Sequence, residues 1–347
     1  MAYTTINKSN LHMKVNLHSG TGSARNITGI GFQPDFTIVK RRDNTGVWYN
    51  TDIVRGAGKQ MYLNETGAMG GSVSTNEITG FNSDGFNLGA DAGVNASGGT
   101  FVSYNFLGNN TTGSSNTDGS ITSTVSANTT AGFSIVKYTG TGSASTIGHG
   151  LGSAPKMIIV KCTSTNGKSW IVYTAATGNT HFMYLNASTA AGASSGAWNN
   201  TSPTASVFSL GNDGDVNASG DNYIAYCFAD VQGYSKVGGS YTGNGNADGT
   251  FVYTGFKPSF VMVKASSTTA NWTMFDNKRS PFNFIDNHFY ANTNAAEQTA
   301  SAGYIDFLSN GFKKTDTFNN DSGQDYIYMA FAEAPLVGSN NIPCTAR

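Results

Sequence analysis

The sequence predicts an all-β protein of three tandem antiparallel β-sandwich or jelly-roll-like repeats. Three observations predict it. A ten-residue phrase occurs twice, "GFQPDFTIVK" at 31–40 and "GFKPSFVMVK" at 255–264, with a looser copy, "LGSAPKMIIVK", at 151–161. Short apolar runs rich in branched residues stand between Pro or Gly on one side and polar turns on the other, the mark of buried strands. The pairs Asp84-Gly85, Asp213-Gly214 and Asn310-Gly311 match the chemistry of tight hairpins, in which glycine supplies positive φ. About seven short strands per repeat with a turn every eight to twelve residues fit a sandwich or jelly roll.

The segments follow in order. Residues 1–13 form an N-terminal segment, 14–108 the first repeat, 109–132 a linker with a possible crossing strand in "SITSTVSA", 133–230 the second repeat, and 231–347 the third with a C-terminal tail. Each repeat carries the phrase, whose Pro34, Pro155 or Pro258 starts a strand where a missing N–H does no harm. The strand is expected to end on Lys40, Lys161 or Lys264 in solvent. A tryptophan follows (Trp48, Trp170, Trp272), then "MYLN", "MYLN" or "FYAN". Next come "FNSDGF", "SLGNDG" and "FLSNGF", then "SG" with a tyrosine-rich run: "SGGTFVSYNF", "SGDNYIAYCF", "SGQDYIYMAF". Six landmarks in one order argue for repetition, and residues common to all three read as architecture.

Composition narrows the function classes. Charged residues make up 12% of the chain and the net charge is −1, which gives no electrostatic footprint for nucleic acid. Sixteen Tyr, 21 Phe and four Trp supply the apolar surface that a disordered chain lacks. No stretch reaches the ~18 consecutive apolar residues of a membrane helix, so no membrane insertion is expected. The start, "MAYTTINKSNLHMKV", does not read as a secretory signal. Cys162, Cys227 and Cys344 are odd in number and widely spaced, with no disulfide framework.

Candidate chemistry is sparse. "DGDVNASGD" at 213–221 places oxygens at Asp213, Asp215, Asn217, Ser219 and Asp221, but its glycine comes late and no Glu closes the loop. It reads as a hairpin turn, and no metal and no cofactor are expected. Asp52 with Arg55 recurs as Asp276 with Arg279, while the second repeat has Thr174 and Thr177. The pair reads as a surface ion pair bracing a turn, worth ~0–1 kcal/mol. Five histidines lack metal-ligand spacing, and no carboxylate pair can be singled out for glycan cleavage. No catalytic residue is therefore assigned. Trp198, Asn199 and Asn200 lie in "AGASSGAWNNTSPTAS", a polar insertion of the second repeat. They are the candidate ligand or receptor contacts, the tryptophan being either pinned onto its own domain or offered to a partner.

The text "YTGTGSASTIGHGLGSAPKMIIVK", "GFKPSFVMVK", "FLSNGFK" and "YIYMAFAEAP" resembles a domain of unknown function recurring in predicted virion and tail proteins of marine bacteriophages of the cyanophage and pelagiphage kind. The resemblance covers residues 14–347 and brings no catalytic residues with it. It implies a virion protein assembled in the bacterial host cytoplasm: a tail fibre, spike or other tail-associated component, or a capsid decoration. The partners it implies are other copies of the chain, with a homotrimer preferred, other virion proteins, and a host surface glycan or protein. A polysaccharide-degrading tail spike is the competing enzyme reading, and a cell-surface adhesin a third.

Overall fold

The structure, a computed structural model, describes residues 3–69, 73–300 and 304–337. Nearly all of it is antiparallel sheet. Three sections of chain each build one large sheet of the same strand order. In the first, the order is Met13–Ser19, Thr100–Phe106, Phe36–Arg41, Tyr49–Asp52, Met61–Tyr62. The second repeats it with Phe133–Thr139, Asn222–Phe228, Met157–Cys162, Trp170–Thr174 and His181–Tyr184, and the third with Ser235–Thr242, Asp325–Pro335, Phe256–Ala265, Thr273–Asp276 and Asn287–Tyr290. Each large sheet faces a small one: Arg25–Ile27 with Gly85–Leu88 and Ile78–Asn82, Ser145–Gly148 with Val207–Leu210, and Phe251–Tyr253 with Gly311–Lys314 and Ile305–Leu308. In the 109–132 segment, Ser123–Asn128 does not cross between sections. It pairs along Phe133–Thr139 and extends the second large sheet.

Burial explains why the central strands are apolar on both faces. Phe260 and Met262 enter a core shared by all three sections, while their neighbours Val261, Val263 and Ala265 enter the third section's own sandwich. Met157 and Ile159 divide from Ile158, Val160 and Cys162 in the same way. A strand buried on two faces reads as a continuous run rather than an alternation. The shared core is aromatic: Phe36 stacks on Tyr226 at 4.1 Å between centroids, and Phe106, Phe133, Phe228 and Phe331 cluster beside them. The three large sheets thus surround one axis, and the small sheets lie outside them.

The glycine turns meet the sequence expectation only in part: Asp84-Gly85 and Asn310-Gly311 do close hairpins, but of the three glycines Gly85 alone has positive φ, at 156°. Asp213-Gly214 is not a hairpin at all. Asp213 caps a short helix, Gly214–Asn217, by accepting from the Asp215 N–H at 2.8 Å, as Asp91 caps Ala92–Asn95. At Gly85 and Gly311 the constraint is close approach, since a Cβ would lie 2.0 Å from the Ile27 or Val252 carbonyl oxygen. Gly311→Val is therefore expected to destabilise by ~1–3 kcal/mol through overpacking. A denaturation midpoint equal to wild type would refute this account.

Candidate functional site

The residues with most chemical capacity meet at three joints between the sections, and the joints share one plan. The Trp48 indole N–H donates to the Tyr290 carbonyl, Trp170 to Tyr62 and Trp272 to Tyr184, at 3.1, 3.0 and 2.8 Å. Each section thereby grips the one before it, and the first grips the third. The Asn of "MYLN" or "FYAN" (Asn64, Asn186, Asn292) accepts from the backbone N–H of its own section's tryptophan. Backbone bonds follow the same cycle: Gly46 N–H to Asn294, Gly167 to Thr66, Ala270 to Ser188, with returns from Glu297 to Arg42, Met69 to Thr163 and Ala191 to Ser266.

The Asp–Arg pairs belong to these joints and not to the surface. Asp52 and Arg55 are 0% and 2% exposed, and Asp276 and Arg279 are both 0% exposed. The Tyr226 hydroxyl donates to Asp52 at 2.8 Å across one joint, and Tyr104 donates to Asp276 at 3.0 Å across another. Burial, with the neighbouring carboxylate adding to it, holds both phenols well above their ordinary range. At the third joint Thr174 and Thr177 hydrogen-bond each other, and the residue in the tyrosine's place is Met329, buried in the shared core. The pair is absent where its partner is absent. Arg279 also reaches Glu297, which grips Arg42 through two bonds of 2.8 and 2.9 Å.

Lys40, Lys161 and Lys264 are not at strand ends in solvent; all three are fully buried. Each ammonium donates to the carbonyl of the next residue, and Lys40 and Lys161 reach across a joint to Asn294 and Thr66. The strand ends where the neighbouring section covers it, so the side chain turns back onto backbone oxygens. Burial pushes all three down to about 8 from 10.5.

The third section holds a fourth buried lysine. Lys314 occupies the place of Leu88 and Leu210 in the other small sheets, next to Phe312, Phe86 and Phe208. Among the described residues its Nζ has no hydrogen-bond partner, and it lies 5.2 Å from the Phe275 ring centre and 5.9 Å from that of Phe318. Burial lowers it to about 7. Lys314→Leu is expected to stabilise the protein by ~1–3 kcal/mol, since it removes a buried polar group without a partner. A lower melting temperature for this variant would show that Lys314 has a stabilising role.

These lysines set the alkaline behaviour. Between pH 8 and 10.5 the folded chain has released protons that the unfolded chain still binds, so stability rises with pH in that window. Above pH 10 the unfolded tyrosines ionise, whereas Tyr104, Tyr138 and Tyr226 stay protonated in the fold, and stability falls. The melting temperature should peak between about pH 9 and 10; a steady decline from pH 8 upward would contradict the burial of the lysines.

The structure places Trp198 inside the second section. It is 1% exposed, ends the short helix Ser195–Trp198, and meets Tyr173 edge-on at 5.6 Å. Its ring is therefore not offered to a partner. Asn199 and Asn200 are exposed, at φ 51° and 47°. The calcium-like loop spends its oxygens on protein donors: Asp213 on its cap, Asp215 on the Ser169 N–H, Asn217 on the Thr141 N–H, and Asp221 on the Ser164 and Thr165 hydroxyls. Among the described residues, no group of three His, Cys, Asp or Glu side chains could hold a metal ion. Cys162 and Cys227 are buried thiols; Cys344 lies outside the described residues. A cavity of about 50 Å³ lies in the shared core, walled by apolar atoms of all three sections, Phe36, Trp170 and Phe260 among them. It is far smaller than the few hundred Å³ of a small-molecule site.

Among the described residues, no helix is long and apolar enough to cross a membrane. No curated protein and no solved structure matches the chain. A family model does match, over residues 8–335, a span that takes in all three large sheets and all three joints. The chain belongs to the family described as Domain of unknown function (DUF7483).

Proposed function

We propose that this chain is a non-enzymatic bacteriophage virion protein, a tail fibre, spike or other tail-associated component that presents a multivalent host-contact surface. The observation that carries the reading is the commitment of its ionisable groups to the joints. Asp52, Asp276, Arg55, Arg279, Lys40 and Lys161 are buried at contacts between sections, which leaves loops and outer sheet faces for contact. Such a body is stiff and weakly charged, and its copies on one particle would turn weak single contacts into high avidity. The resemblance of its text to virion proteins points the same way, and a homotrimer is the proposed assembly, closed symmetry being the usual state of such subunits.

Antibodies raised against the purified chain and used to label particles of a phage that encodes it test the proposal. Label on the tail is the expected result. Label on the head would replace it with a capsid decoration, and particles free of the protein would end it. Release of sugar fragments from host polysaccharide by the purified chain would establish the enzyme reading instead.

A further inference from the structure

The outer face of the third small sheet differs from its two counterparts. Its core side is the same in all three: Val252 with Phe312, Ile27 with Phe86, Ile147 with Phe208. On the opposite side the first section places Asn26 beside Asn87 and the second places Thr146 beside Ser209, whereas the third places Phe251 beside Lys313. Phe251 and Tyr253 are 45% and 55% exposed. A loop along the far edge of this sheet, fixed by Asn283, which bonds both the N–H and the carbonyl of Phe307, carries Phe282 and Phe284 at 82% and 49% exposure. Four of the seven large hydrophobic side chains exposed among the described residues therefore belong to this one sheet and its edge loop. The other two sections fold on the same frame without them, so folding does not require these rings.

We infer that this face binds a neutral glycan, with the rings as stacking platforms. A pyranose presents an apolar C–H face that suits the electron-rich face of an aromatic ring, and its hydroxyls need polar partners alongside. Between the two aromatic edges the sheet supplies them: Asp306 stands opposite Lys313, and Lys313 pairs with Asp248. The charge argues for a neutral ligand, since Lys313, the cation that the described residues place on this face, is already paired with Asp248, and an acidic glycan would meet two carboxylates. A protein partner would call for a contiguous apolar centre, but here charged side chains separate the rings. The assignment takes the host-contact role proposed above as its setting, although particle labelling and glycan binding can fail independently.

The test uses the full chain on a printed array of neutral and acidic glycans, followed by titration of the best neutral binder. Phe251→Ala and Phe282→Ala should each weaken binding by roughly tenfold at unchanged melting temperature. Asn26→Ala and Thr146→Ala, at the matching positions of the other sections, should leave it unchanged. The assignment is overturned if no neutral glycan binds, if acidic glycans are preferred, or if binding survives both ring deletions. A change of oligomeric state in the two Phe variants would give the face to a second copy of the chain and equally overturn it.

Discussion

Arg279→Met should destabilise the protein by about 3–5 kcal/mol, because it leaves Asp276 buried with its charge uncompensated. Arg279 is fully buried, and besides Asp276 it bonds the Met274 carbonyl and Glu297, so one substitution strips several acceptors of a donor. The Asp52 joint offers a sharper form of the test. Replacing Asp52, Arg55 and Tyr226 together by Thr, Thr and Met installs there the set that Thr174, Thr177 and Met329 already form at the third joint. The triple variant should lie within about 2 kcal/mol of wild type, as swaps of buried ion pairs for neutral groups often do, whereas Arg55→Thr alone should cost what Arg279→Met costs. Urea denaturation of the three proteins decides the matter. If the triple variant is as unstable as the single one, the joints are not interchangeable and the shared plan is only formal.

Trp170→Ala should cost about 3–5 kcal/mol and lower one common unfolding transition. The ring is fully buried, stacks toward Tyr226 at 6.4 Å, and bonds the Tyr62 carbonyl of the neighbouring section. Because the three large sheets bury their inner faces in a single core, no section can expose its face without exposing the others'. Calorimetry should show one cooperative transition in both wild type and variant. Three separable transitions, with only the middle one moved, would mean that the sections are independent beads.

Much of the fold was legible because repetition is a property of text. The tryptophans, the "MYLN" and "FYAN" stretches and the tyrosine-rich runs mark equivalent places, and the all-β reading follows from short branched runs between turns. Local chemistry was less legible where two motifs overlap: Asp213-Gly214 has a hairpin's composition, but its true match is Asp91-Ala92, because the four-residue helix and "VNASG" follow both. The joint could have been found. Tyrosine stands at 104 and 226 but methionine at 329, while the Asp–Arg pair is missing from the second repeat and not from the third. That offset of one repeat is what a cycle of contacts, each section to the one before it, would leave in a sequence.

The sequence by itself determined the all-β class, the short buried strands and the phrases that recur along the chain, since period, composition and repetition are local or textual. Only the tertiary structure decided that the repeats close on one another. Lys40, Lys161 and Lys264 read as strand-end charges because a single repeat would leave them in water, and Asp52 with Arg55 reads as a surface pair for the same reason. Trp198 reads as a free ring on a polar loop because the Ala and Ser residues around it do not announce the Tyr173 and Phe208 against which that loop folds. Burial is a relation between distant segments: whether a charged or aromatic side chain meets water depends on what the rest of the chain lays over it, and at these positions the covering comes from residues remote in sequence.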